Sequence, residues 1–366
     1  MKTPGTLGSI GLCVALCLCA CNKNIRDDHP VLLKAKAFNK PDTTSNPADT
    51  TVDPPADTTV NPPVDTTIST PPDEAVVYNN YYIAPKVTDA AITTSLSNHF
   101  VSVKSGGTLK NTLYVFLPGT YRNPTNSRAT TEKAAKLGYH AIGLMYDNLV
   151  AGNPLCRATG DITCHSRARR EVIDGVDRHS GVNVNVANSL INRLTRLLLY
   201  MNRTRPTQGW GQYLLNGKPN WSKIIVAGHS QGGAIAGVIG RHYPVKKVIM
   251  ISMMDFLNNG KIPDWVASQV NKERFFAITH INDELVPYDK VQAGWKAMGL
   301  SVYGGKINVD ASSPPFSNTH TLISSRVPTT TLVDKFHNCT GVDSYIPKNS
   351  SGMYVYDKAW EYLMNK

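Results

Sequence analysis

Long hydrophobic runs are missing from this 366-residue sequence. The apolar run near its start, within MKTPGTLGSIGLCVALCLCAC, covers about a dozen residues, too few to cross a bilayer, and reads as a secretory signal. Acidic residues are scarce beyond residue 73, where 19 Asp and Glu face 32 Lys and Arg. Such a basic surface suits anionic surroundings. No nucleic-acid-binding motif and no interleaving of aromatic with basic residues accompanies it, so no nucleic-acid partner is expected. Metal patterns are missing too. HExxH does not occur, and His140, His165, His179 and His242 lack ligand-like spacing, so neither a metal nor another cofactor is expected. Cysteine is rare outside the first 21 residues, where only Cys156, Cys164 and Cys339 remain.

The apolar run ends in Leu18-Cys19-Ala20-Cys21, which resembles the lipobox of bacterial lipoproteins. The resemblance implies that residues 1–20 are a signal peptide and that Cys21 is lipidated. The protein is then exported and lipid-anchored in a bacterial cell envelope, on its periplasmic or surface face. Next come PADTTVDP, PADTTVNP and PVDTTIST, three eight-residue near-copies at 47–70. Their Pro, Thr and Asp could bury no core, so residues 21–73 read as the anchored N-terminus and an extended, disordered tether. Residues 74–366 remain as one domain, read as a monomer. In an exported protein Cys156 and Cys164 can close a short loop through a disulfide, with Cys339 left as a small buried residue.

From about residue 98, short apolar runs alternate with helical patterns. That alternation predicts an α/β fold, a mostly parallel central sheet covered by helices on both faces. Expected strands are 113–119, 141–146, 223–228, 246–253, 274–281 and 321–327. Expected helices lie near 127–138, at 186–201 with an apolar face running from Ala187 to Met201, and at 354–364. Residues 147–184 read as a long irregular loop, in which the stretch Arg167 to Glu171 either lines the site or forms a solvated turn, the turn being preferred.

VAGHSQGGAIAG (226–237) sets a serine between a buried strand and a helix of small residues, the context that gives the G-x-S-x-G pattern meaning. A nucleophile there needs a sharp, strained turn, and Gly228 and Gly232 remove side chains that would collide. On these residues, with GHSQGG as the most specific, the chain resembles the α/β-hydrolase superfamily over roughly 98–366. The resemblance implies Ser230 as nucleophile and an oxyanion hole made by the backbone N–H groups of Gln231 and Thr120, the latter in FLPGTY with Pro118 where a histidine is usual. His229 is expected to pack away from the Ser230 side chain.

The acid is expected after a later strand, where RFFAITHINDELVP offers Asp283 in a D-x-x-V-P turn. Asp255, past the preceding strand, is its rival. Two histidines follow. His320 precedes the last strand and so belongs at the amino end of the sheet, whereas His337 lies in a connection after it and can fold back over Ser230. The expectation is therefore a Ser230–His337–Asp283 hydrolase of carboxylic esters, small or polymeric. A serine peptidase or amidase, or a non-catalytic module binding surface glycans, are the alternatives.

Overall fold

A computed structural model describes residues 77–267 and 271–366. The signal, Cys21, the tether and the expected domain start at residue 74 lie outside them. Among the described residues, no helix is long and apolar enough to cross a membrane.

In chain order the strands are β1 (Tyr78–Ile83), β2 (His99–Lys104), β3 (Leu113–Leu117), β4 (His140–Gly143), β5 (Leu214–Leu215), β6 (Lys218–Pro219), β7 (Ile224–His229), β8 (Lys247–Ile251), β9 (Phe275–His280), β10 (Ile307–Asn308) and β11 (Thr321–Ser324). The helices are α1 (Pro85–Thr88), α2 (Arg128–Lys136), α3 (Gly152–Cys156), α4 (Cys164–Asp174), α5 (Leu190–Thr204), α6 (Gln231–His242), α7 (Asp264–Ala267), α8 (Tyr288–Ala297), α9 (Lys335–Asn338) and α10 (Asp357–Asn365). β5 and β6 form a small hairpin of their own.

The other strands make one nine-stranded sheet in the order β1-β2-β4-β3-β7-β8-β9-β11-β10. Six of its pairings are parallel. The antiparallel ones, β1–β2 and β2–β4, lie at one edge. Alternate residues of β7 enter different cores: Ile224 and Val226 join the α5–α6 side, Ile225 and Ala227 the α10 side. Burial on both faces explains the unbroken apolar runs, each such side chain stabilising the fold by about 1.5–3 kcal/mol over exposure.

The expected strands and the three expected helices are present within a few residues. α5 begins at Leu190, because the Ser189 side chain accepts from the Asn192 N–H and caps it there. Its inward face carries Arg193 among the leucines, fully buried, with its guanidinium donating to the carbonyls of Asn188, Thr94 and Ser95.

The irregular loop expected over 147–184 is not what forms. It contains α3 and α4, bridged by a Cys156–Cys164 disulfide. The inward face of α4 includes His165, Arg169 and Glu171, all buried through polar partners, so the helix shows no simple apolar period. Glu171 accepts from the N–H groups of Arg178 and His179, folding the following segment back. α4 stops at Gly175 (φ 76°), where a Cβ would strike the backbone of Asn185 and Val186.

Candidate active site

β7 is the fifth of the nine strands, and its carboxyl end runs into a turn at Ser230 with φ 53° and ψ −123°. A non-glycine residue holds that conformation only when its surroundings impose it. Here the Ser230 N–H donates to the Ile251 carbonyl (2.9 Å) and its own carbonyl accepts from Ala234 (3.2 Å). A Cβ on Gly228 would meet the Gly232 carbonyl, and one on Gly232 would meet the Leu117 backbone. Both glycines are thus required by close approach, as the motif implies.

The turn after β3 passes directly over the serine, since a Cβ on Gly119 would lie 3.2 Å from the Ser230 Cβ. Two side chains hold that turn from outside. Tyr146 donates to the Pro118 carbonyl (2.8 Å), and Asn148, fully buried, donates through Nδ2 to the carbonyls of Gly119 (2.7 Å) and Arg122 (2.8 Å). In a trans peptide the N–H points opposite the carbonyl, so fixing the Gly119 oxygen on Asn148 turns the Thr120 N–H the other way. The Thr120 hydroxyl donates to Gln231 Oε1 (2.8 Å), clipping the turn to the start of α6. Gln231 is the first residue of that helix, where an N–H has no intrahelical acceptor.

Asp283 follows β9, and its side chain is buried. Its Oδ1 accepts from the N–H groups of Leu285 (2.9 Å) and Val286 (2.8 Å), the turn that D-x-x-V-P builds. His337 Nδ1 lies 2.9 Å from both carboxylate oxygens. A carboxylate accepts only, so the proton sits on Nδ1 and Nε2 keeps a lone pair.

The histidine is carried by α9 in the long connection after β11. Two partners that the sequence reading did not assign hold that segment. Glu284 accepts from the N–H groups of Phe336 (3.1 Å) and His337 (2.8 Å). His229 donates from Nε2 to the His337 carbonyl (2.9 Å), their rings 4.9 Å apart. Burial, with the neighbouring His337 adding to it, holds the His229 imidazole down at about 3, so the ring is a neutral strut at any ordinary pH.

The rival residues stand elsewhere. His320 is stacked between Phe276 (4.0 Å) and Tyr303 (3.8 Å), its Nδ1 donating to the Phe275 carbonyl at the start of β9, the amino end of the sheet. Asp255 is fully engaged by Arg169 through Nε (2.6 Å) and Nη2 (2.5 Å) and by Trp265 Nε1 (2.9 Å). The preferred solvated turn over Arg167 to Glu171 is thereby corrected: Arg167 is exposed, but the stretch is helical and Arg169 lines the site, as the alternative reading had it. Arg169 is 4% exposed, because its charge is neutralised by a carboxylate that no apolar pattern could reveal.

Ser230, His337, Thr120 and Gln231 border one cavity of about 470 Å³. Its wall includes α3, together with Met253, Met254 and Val286. Close to it, Cys156, Cys164 and His179 gather with ligand atoms within 4.8 Å, but the two sulfurs are bonded to each other, which removes the thiolates a metal would need. Neither a protein-family model nor a curated protein sequence matches this chain at a significant level.

Proposed function

We propose that this protein is a serine hydrolase of the α/β-hydrolase fold that cleaves carboxylic esters through an acyl-enzyme. The observation that carries the reading is the His337 imidazole set on both oxygens of buried Asp283 while Ser230, strained at φ 53°, borders the same cavity. In this reading Ser230 Oγ attacks the ester carbonyl and its proton passes to His337 Nε2. The resulting imidazolium is stabilised by Asp283, and the developing oxyanion by the N–H groups of Thr120 and Gln231. Collapse expels the alcohol, which takes the proton from His337. Water, activated by the same imidazole, then releases the acid and restores Ser230. Each oxyanion donor contributes roughly 10²–10³ in rate.

A fluorophosphonate should label the wild-type protein on Ser230 and leave Ser230→Ala unlabelled, with the hydrolysis of short chromogenic esters lost in the same variant. A folded wild type that is neither labelled nor active refutes the reading. Cleavage of matched amides at rates comparable to the esters would move it to an amidase.

The location proposed for this activity is a membrane surface, through lipidated Cys21. The Cys156–Cys164 bridge supports it, since disulfides persist in exported proteins. Cys21→Ser should move the protein from the detergent phase to the aqueous phase in phase partitioning of cells that process lipoproteins. Unchanged partitioning rules the anchor out.

A further inference from the structure

The charged groups bordering the cavity are out of balance. Arg122, Arg157 and Arg169 line it, against Asp255 and Asp334. Asp255 is spent on Arg169, which it grips through Nε and Nη2, leaving Nη1 without a hydrogen bond among the described residues. That guanidinium is desolvated but not saturated. Its fork has five N–H donors, and those turned from Asp255 find no acceptor among the described residues. Arg157, at the end of α3, makes neither a side-chain hydrogen bond nor an ion pair among the described residues, and the polar contact of Arg122 is a long one to the Tyr345 hydroxyl (3.4 Å). Of the two histidines bordering the cavity, His229 is neutral and His337 is engaged by Asp283, which lies behind it. Three cations against two anions leave the lining one positive charge in excess.

Arg169 is buried and turns a free guanidinium edge to the cavity, while Arg157 stands exposed at its rim. Such edges are the donors that carboxylates and phosphates match in geometry, whereas a neutral chain would cover them without replacing their water. A single excess charge suits a monoanion better than a dianion. The volume leaves room for a small acid beside the ester, within the usual range for small-molecule sites.

Resting on the serine-hydrolase reading, we propose that the ester taken by this cavity carries a carboxylate, which Arg157 and the free edge of Arg169 hold while Ser230 attacks. The α3–α4 hairpin is then the specificity element of the site. Arg157 and Arg169 both sit on that hairpin, and the disulfide ties its two helices together.

The test is a matched pair of chromogenic substrates, the 4-nitrophenyl monoester of glutaric acid and 4-nitrophenyl pentanoate, with a phosphate-bearing ester as third arm. Wild type should favour the carboxylate ester in kcat/KM by roughly tenfold or more, mostly through KM, and the preference should shrink in high salt. Arg157→Gln should cut that ratio several-fold, while Arg203→Gln, out on α5, should leave it alone. Glutarate should slow fluorophosphonate labelling of Ser230 in wild type and do so less in Arg157→Gln. Equal rates on the two esters without protection by glutarate overturn the carboxylate site and leave the hydrolase standing, and a preference for the phosphate arm does the same. Absent labelling together with absent turnover on all three esters overturns the hydrolase reading itself, and this inference with it.

Discussion

His337→Ala should lower kcat for ester hydrolysis by on the order of 10⁵–10⁶-fold, while His320→Ala stays within a few-fold of wild type. The contrast follows from position. His337 touches Asp283 and borders the cavity of Ser230, and in the proposed mechanism its loss removes the base that takes the serine proton. His320 sits at the far end of the sheet, sandwiched between two rings, with burial pushing its imidazole down to about 4, so it is neutral and remote from the reaction. Emptying that stack should instead cost stability, about 1–3 kcal/mol, readable as a lower midpoint in urea. An active His337→Ala beside an inactive, folded His320→Ala would reverse the assignment and with it the placing of the connection after β11.

The second large effect separates the two buried aspartates. Asp283→Asn should reduce kcat by roughly 10⁴-fold with little change in fold. The amide oxygen can still accept from Leu285 and Val286, but an N–H now stands where Oδ2 faced Nδ1. That favours the tautomer with its proton on Nε2, where it cannot take another from Ser230.

Asp255→Asn should behave in the opposite way, with rate per folded molecule largely kept and stability reduced by about 3–5 kcal/mol, because Arg169 would be left buried without its counter-charge. Burial works to raise the Asp255 pKa, but Arg169, His165 and Trp265 together outweigh it and hold the carboxyl below its ordinary 3.8. Its folded-state pKa is depressed, so the stabilisation it gives is present above about pH 4 and fades as pH falls through the folded value. Thermal melts of wild type and Asp255→Asn should therefore differ at pH 7 and converge in acid. If Asp255→Asn is the inactive protein and Asp283→Asn is near normal, the acid has been misassigned.

How much of this could be read from residues alone depended on what holds each part. The sheet was legible because β7, β8 and β9 are buried on both faces and so are apolar without interruption. The serine turn was legible because close backbone approach admits only glycine at 228 and 232. Asp283 was legible because its carboxylate also builds the turn that follows it, leaving the trace D-x-x-V-P. α4 was not, since it faces inward with Arg169 and Glu171, whose burial depends on partners 86 and 7 residues away. The role of Glu284 left no trace either, because an acid beside an acid in a polar turn looks like solvent-facing charge until the His337 backbone is seen resting on it.

The disulfide has a consequence for anyone wishing to alter this protein. Cys156 and Cys164 close a span of eight residues, and Arg169 on Asp255 fastens the same hairpin to the end of the sheet, while the serine turn, Asp283 and α9 take their support from other segments. Residues 151–174 therefore form a cassette with its own fastenings. A designer could exchange that cassette without disturbing the serine turn, Asp283 or His337, provided the host cell oxidises the bridge.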